Sequence, residues 1–322
     1  MSYFLLADSG STKIDWILSS TESDQVFQWS SSGINPFHQN ENDIKSQIDL
    51  ALFSESLKIE AFSISNMELN SKLNVSDTKE IAKSEFETKS FQTKYLNQIK
   101  DIYFYGAGLT TQEKGKVLRQ TFRNLLPQIQ TVATFSDLLG AARGLLQKKQ
   151  GIACILGTGA NSCLYDGHQI NDNVSAGGYI LGDEGSGSWL GKHLLSDFLK
   201  RELPDELHSA LTEEYQLDVA TILENVYRKP FANRYLAQFS KFLSAHFDSE
   251  YCHSLVEYGI KVFFERNIMK YPKTSTSLVS ATGSIASVFA NSFCKTAQKF
   301  SFNVETIQKS PIYGLLLFHR TF

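Results

Sequence analysis

Between two short apolar runs near the amino terminus stands Asp8-Ser9-Gly10-Ser11-Thr12-Lys13. Small residues there let backbone N–H groups come close to an anion, and the hydroxyls add donors, so the turn suits a phosphate. Asp8, at the end of the first run, would then face the metal that accompanies a polyphosphate. Contact through water is expected, because Mg²⁺ keeps much of its hydration shell. The same residues also make an ordinary hairpin turn. Gly157-Thr158-Gly159-Ala160-Asn161 repeats the arrangement in the second half of the chain, again between two apolar runs. Two such turns facing one another can grip a triphosphate from both sides.

Asp137 follows the run Thr131 to Phe135 and precedes Leu138, Ala141, Ala142 and Leu145 at helical spacing, which puts it at a strand's carboxyl end, where α/β folds place ligands. A carboxylate there can take a proton from a substrate hydroxyl. Equally, Ser136 and Asp137 are both good helix N-caps. The stretch Gly177 to Gly187 is dense in glycine and carries Asp183 and Glu184 just before a helical pattern. Asp183 could accept hydrogen bonds from vicinal sugar hydroxyls, or the two acids could complement the helix dipole. Gly187 to Lys192 is too short for a P-loop, and His193 replaces its Ser or Thr. Ala281-Thr282-Gly283-Ser284, between a strand and a helix, suits a backbone shelf for a nucleotide base or ribose, and by itself is equally an ordinary strand-to-helix turn.

The elements that would hold these residues follow from periodicity. Strands are expected over Tyr3 to Ala7, Ile14 to Leu18, Gln25 to Ser30, Asp101 to Tyr105 and Thr131 to Phe135. Helices are expected over Asp43 to Phe53, Gln112 to Leu126 and Asp137 to Gln147. The order of the first block is then βββαβαβα. After Gln147-Lys148-Lys149-Gln150 a second block opens with strands over Ile152 to Leu156 and Ser162 to Tyr165. Helices over Gly187 to Lys200, Phe231 to Ala245, Ser249 to Lys270 and Ile285 to Lys299 follow, with a strand over Leu278 to Ser280. Asn66 to Lys94, rich in Ser, Asn, Lys and Glu, fits no element.

At 322 residues the chain is long enough for two domains. Its net charge of -3 leaves no general attraction to nucleic acid or to anionic lipid, so neither is expected as a partner. The four cysteines show no metal-ligand spacing and are expected to be buried thiols. There is no GxGxxG fingerprint and no GxSxG elbow. No run approaches the ~18 apolar residues of a membrane span, and a cytoplasmic location is expected.

Taken together, DSGSTKIDW (8–16), GINP (33–36), YGAGL (105–109), SDLLGAA (136–142), GIACILGTGANSCLY (151–165), GYILGDEGSGSWL (178–190), GSIA (283–286) and PIYGLLLFH (311–319) resemble the N-acetylglucosamine kinase group of the BadF/BadG-type ATPase family, within the sugar kinase, Hsp70 and actin superfamily. The resemblance covers most of the chain. It implies an α/β fold of two ribonuclease-H-like, actin-like ATPase domains with a cleft between them. These would be residues 1–147 joined by a C-terminal helix at about 309–322, and 148–308 with helical insertions. It implies ATP and Mg²⁺ as cofactors, with Gly10, Ser11, Thr12 and Lys13 at the first phosphate loop, Gly157, Thr158 and Gly159 at the second, and Gly283 near the nucleoside. Asp8 would be the acid near Mg²⁺ and Asp137 the catalytic base. Asn35, Asn161, Gly178, Tyr179 and Asp183 would hold a small sugar substrate. Ala176-Gly177-Gly178 stands where animal members carry Gly-Trp-Gly, and Ala160 where Ser is usual. The implied reaction is transfer to the primary hydroxyl of N-acetylglucosamine or a related amino sugar. An ATPase activator of a radical dehydratase or reductase, and a non-catalytic sugar or nucleotide sensor, are the alternatives. A homodimer is left open.

Overall fold

Tyr3–Ser9 is an almost unbroken apolar run, and such a run needs cover on both faces. It forms β1, buried along its length apart from the partly exposed Asp8, inside a seven-stranded sheet. The computed structural model describes residues 1–10, 12–34, 39–65, 84–109, 111, 113–272 and 277–321. Residues 1–147 with 310–322 gather into one compact unit (unit 1), and residues 148–309 into another (unit 2).

In unit 1, Lys13–Ser19 (β2) and Gln25–Ser32 (β3) complete the expected antiparallel meander. Glu41–Phe53 (α1) follows, opened by a capping box between Asn40 and Asp43. Three further elements then depart from the expected βββαβαβα order: strands Ile59–Ser63 (β4) and Ser84–Phe86 (β5) and helix Thr88–Tyr95 (α2). β4 and β5 extend the meander outward from β3. Thus residues 84–94 of the stretch that fitted no element are structured, and 66–83 lie outside the described residues. Ile99–Gly106 (β6), Lys116–Leu125 (α3), Thr131–Ser136 (β7) and Asp137–Leu146 (α4) finish the block. The sheet order is β5-β4-β3-β2-β1-β6-β7, with β6 and β7 parallel to β1.

Unit 2 repeats the central part of this plan with Gly151–Leu156 (β8), Ala160–Tyr165 (β9) and Ile170–Asp172 (β10) as the meander. Between it and the last two strands come Gly178–Leu181 (α5), Gly187–Lys200 (α6), Asp205–Tyr215 (α7), Val219–Tyr227 (α8), Ala232–Ala237 (α9), Ser240–Ala245 (α10) and Glu250–Arg266 (α11). Leu278–Thr282 (β11), Ser284–Val288 (α12), Ala290–Lys299 (α13) and Asn303–Gln308 (β12) complete it. The order β10-β9-β8-β11-β12 matches β3-β2-β1-β6-β7 strand for strand. Three helices expected as continuous runs are broken. Phe231 to Ala245 divides into α9 and α10, near where the Leu236 carbonyl presses on Gly191 of α6. The run from Ser249 ends as a 3₁₀ turn, Ile268–Lys270, and Ile285 to Lys299 breaks at Phe289.

The last helix, Ile312–Arg320 (α14), belongs to unit 1. Ile312, Leu315 and Leu316 pack with Phe4, Leu6 and Ile17 on the sheet face opposite α1 and α3. Its polar anchors are specific. Arg143 of α4 donates to Tyr105 Oη (3.0 Å), which is also hydrogen-bonded to His319 Nε2 (2.9 Å). Burial first, then the Arg143 charge, pushes His319 down to about 4, so the ring stays neutral. Gln147 donates to the Gly314 carbonyl (2.9 Å), Tyr313 to Gln28 (2.6 Å), and Arg320 to Ser19 Oγ and to the carbonyls of Ser20 and Ser23.

The two main chains touch where α14 crosses α4: a Cβ on Gly314 would run into the Gly144 carbonyl, and one on Gly144 would lie 2.7 Å from Pro311. Gly314→Ala should therefore cost unit 1 about 1–3 kcal/mol through overpacking. A denaturation midpoint equal to wild type would contradict so close a crossing.

Candidate functional site

Unit 1 gathers its chemistry at one end of the sheet. Ser9 pairs with Gly106 on β6, and Gly106 with Ser136 on β7, so β1, β6 and β7 end level. Asp8, one residue before the end of β1, and Asp137, one residue after the end of β7, are thereby brought to the same edge. The hairpin register sets Asp8 opposite Asp15 of β2. Asp8 is pushed up to about 7, first by burial and then by the charge of Asp15, with Asp137 adding to the effect; the Ser310 hydroxyl, 3.2 Å from Oδ2, and Lys13 oppose it. Lys13 Nζ lies 2.6 Å from Asp15, and Ser30 Oγ also donates to that carboxylate (2.9 Å).

The turn between β1 and β2 is closed by the Gly10 amide on the Lys13 carbonyl (2.9 Å) and braced by the Gly33 amide on Thr12 (3.1 Å). A Cβ on Gly33 would lie 2.6 Å from the Gly10 carbonyl, so only glycine lets the second segment support the turn. Gly10 and Thr12 are exposed. Ser11 and Asn35 lie outside the described residues. At α4 the N-cap is Ser136, whose hydroxyl accepts from Leu139 N (3.2 Å). Asp137 is not the cap: its Oδ1 takes the next amide, Leu138 (2.9 Å), and burial raises its carboxyl above the usual range.

In unit 2 the turn Gly157–Gly159 is held from beneath by the start of α6, with Gly187 and Ser188 donating to the carbonyls of Gly157 and Thr158. Among the described residues no backbone acceptor takes the amides of Thr158 and Gly159. Gly283 closes on the turn's base: at φ 113°, any Cβ there would strike the Leu156 carbonyl. Asp183 sits against the turn's other side, its carboxylate occupying the space where a Cβ on Gly159 would be. It accepts from the Ala160 amide (3.1 Å), holds a left-handed backbone (φ 55°), and is pushed up to about 6, mainly by burial. Lys192, donating to the Tyr179 carbonyl (3.3 Å), partly offsets that.

The dipole reading of the paired acids fails in the structure. Ser186 caps α6, whose first turn carries no acid. The buried Glu184 is instead ion-paired with Arg266 (2.8 Å) at the end of α11. Asn161 spends its Oδ1 on Ser162 N (2.9 Å) and Asn173 (3.0 Å). Gly178 and Tyr179 open α5, a single turn framed by Gly177 and Gly178 with left-handed φ, and joined at its base by the Asp183 amide on Ala176 (2.9 Å). Sequence reasoning missed Asp15, Gly33, Lys192 and Ser310. Asp15 was legible, because a tight hairpin that pairs Ser9 with Ile14 must pair Asp8 with Asp15.

The donor set fits magnesium and phosphate. A carboxylate raised by burial and by neighbouring acids is stabilised in its charged form by a cation. Among the described residues no three His, Cys, Asp or Glu side chains could cage a metal directly. At Gly157 neither a left-handed φ nor any protein atom within 4 Å demands glycine, and the space left is open to a ligand. The four cysteines are free thiols, three of them buried, and among the described residues no helix is long and apolar enough to cross a membrane.

No family model and no curated protein matches the chain. Among solved structures, the “putative N-acetylglucosamine kinase” of Porphyromonas gingivalis is 36% identical over 99% of this chain and 99% of its own, with a TM-score of 0.81. The chain belongs to the N-acetylglucosamine kinase group of the BadF/BadG-type ATPases. A protein of the same printed name from Chromobacterium violaceum, 17% identical over 99% of both chains with a TM-score of 0.65, shares the fold. As in other members of the actin-like ATPase superfamily, each unit is ribonuclease-H-like, and β4, β5 and α2 are additions to that plan in unit 1.

Because Asp8 holds its proton up to about pH 7 when folded but only to about 3.9 when unfolded, its contribution to stability is full below about pH 4 and is lost as pH rises through 7. Asp8→Asn should therefore melt above wild type by a margin that grows from roughly pH 4 to pH 7 and then levels off. A margin independent of pH would show that Asp8 is not strained by its neighbours.

Proposed function

We propose that the protein is an ATP-dependent kinase that phosphorylates the primary hydroxyl of N-acetylglucosamine or a related amino sugar. The observation that carries this reading is the meeting of Asp8 and Asp137 at one sheet edge, in a chain of this family, with helix capping left to Ser136. Phosphoryl transfer asks for positioning and charge stabilisation more than for covalent participation by the protein. The sugar hydroxyl attacks the γ-phosphorus, the bond to the ADP oxygen breaks, and the hydroxyl proton passes to the carboxylate of Asp137. Burial suits Asp137 to that task, since it raises the affinity of the carboxylate for the arriving proton.

Asp8 would hold Mg²⁺ through its waters, and the ion would neutralise phosphate oxygens. Gly10, Ser11, Thr12 and Lys13 in unit 1, and Gly157, Thr158 and Gly159 in unit 2, would donate to phosphate, with Gly283 beside the nucleoside. Asp183 would accept hydrogen bonds from sugar hydroxyls, and Asn161, Gly178 and Tyr179 would line the pocket beside it. The exposed, glycine-framed turn around Tyr179 supports an adaptable wall there, and Asn161 has only its Nδ2 donors left to offer.

The test is ADP release over a panel of amino sugars. Asp137→Asn should lower kcat about 10²–10⁴-fold with the KM for ATP nearly unchanged; turnover above about a tenth of wild type would reject its role as base. Asp183→Asn keeps the acceptor for the Ala160 amide, so the fold should persist while the sugar KM rises about 10–100-fold. In wild type that KM should rise as pH falls through about 6, where Asp183 takes up its proton. A flat KM profile, or an unaffected variant, would remove Asp183 from the sugar.

A further inference from the structure

Ser310 is the residue at which the chain re-enters unit 1 after building unit 2. Its hydroxyl oxygen accepts from the Ile312 amide (3.4 Å), which directs its proton to Asp8 Oδ2 at 3.2 Å. Among the described residues Asp8 Oδ1 takes no hydrogen bond. The next residue, Pro311, lies against Gly144, and Gly314 lies on the Gly144 carbonyl, so the crossing that seats α14 also fixes where the Ser310 hydroxyl stands. Gly144 is on α4, the helix that begins with Asp137. One backbone crossing therefore positions both the donor to Asp8 and the helix that carries the second carboxylate.

We propose that Ser310 is a positioning residue for metal–nucleotide binding: its hydroxyl ties down one oxygen of Asp8 and orients the other toward the hydrated metal. The inference rests on the kinase reading and adds to it a residue 302 positions away from the acid that it serves. A carboxylate with one oxygen fixed by a donor presents the other in a single orientation, whereas a carboxylate free to rotate loses that preorganisation on binding. A role confined to starting α14 would act on the fold as a whole and would weaken nucleotide binding alike with and without metal.

The experiment measures ADP affinity by titration calorimetry in EDTA and again in excess Mn²⁺, with bound Mn²⁺ counted by electron paramagnetic resonance, on the full chain and without turnover. Wild type should bind ADP more tightly with metal. Ser310→Ala should keep metal-free ADP affinity within about twofold and lose about fivefold or more of the metal-dependent gain, the scale of one hydrogen bond to a charged group. Ser310→Thr, which keeps the hydroxyl, should retain the gain. A Ser310→Ala protein with the wild-type gain, or with both affinities reduced in parallel, would overturn the proposal. If wild type itself shows no gain from metal, the kinase reading fails first, and Ser310 loses its assigned role with it.

Discussion

Two glycines, 144 and 314, let the main chains of α4 and α14 touch, and much of unit 1's chemistry depends on that contact. The remaining ties confirm the seating from several directions: Tyr105 between Arg143 and His319, Gln147 on Gly314, Tyr313 on Gln28, and Arg320 on the β2–β3 turn. Ring stacking adds to them, with His319 lying 3.9 Å from Tyr103 between centroids. Most of these bonds are partly buried, where a polar pair is stronger than in water and a lost partner is more costly. The helix is thus fixed in register as well as in place, which is what a functional group at its start requires.

Both units carry an acid that its surroundings hold in discomfort. Asp8 is crowded by Asp15 and Asp137, and Asp183 is buried beside Glu184. The structure tolerates this in part through a donor to each acid, the Ser310 hydroxyl for Asp8 and the Ala160 amide for Asp183, with Lys13 and Lys192 also offsetting the two charges. Neither donor satisfies the whole carboxylate. Such partial satisfaction is destabilising in a core and useful in a binding site, because a ligand that completes it gains what the fold gave up.

The meander β1–β3, the helices α1 and α4, and the opening of unit 2 were legible because their apolar residues repeat at one clear period and end in glycine-rich turns. β4, β5, β10 and β12 were not. Ser84–Phe86 and Ile170–Asp172 are too short to show a period, and Asn303–Gln308 is a polar edge strand with no fully buried residue. α8 hid for another reason: Val219, Leu223 and Tyr227 are exposed while Ile222 is buried, so its apolar residues do not mark one face. Of the site, the turns and the strand-end acids could be read locally. Ser310 could not, since only the crossing of two distant helices brings it to Asp8.

The ribosome makes unit 2 in its entirety before it makes residues 310–320. Until those residues emerge, the sheet face formed by Phe4, Leu6, Ile17 and Tyr105 lacks its helical cover, and Asp8 lacks the hydroxyl of Ser310. A nascent chain or a prematurely terminated one therefore displays a greasy surface that chaperones and proteases can detect. Seating of residues 310–320 therefore covers the sheet face and completes the hydrogen bonding of Asp8 in one step.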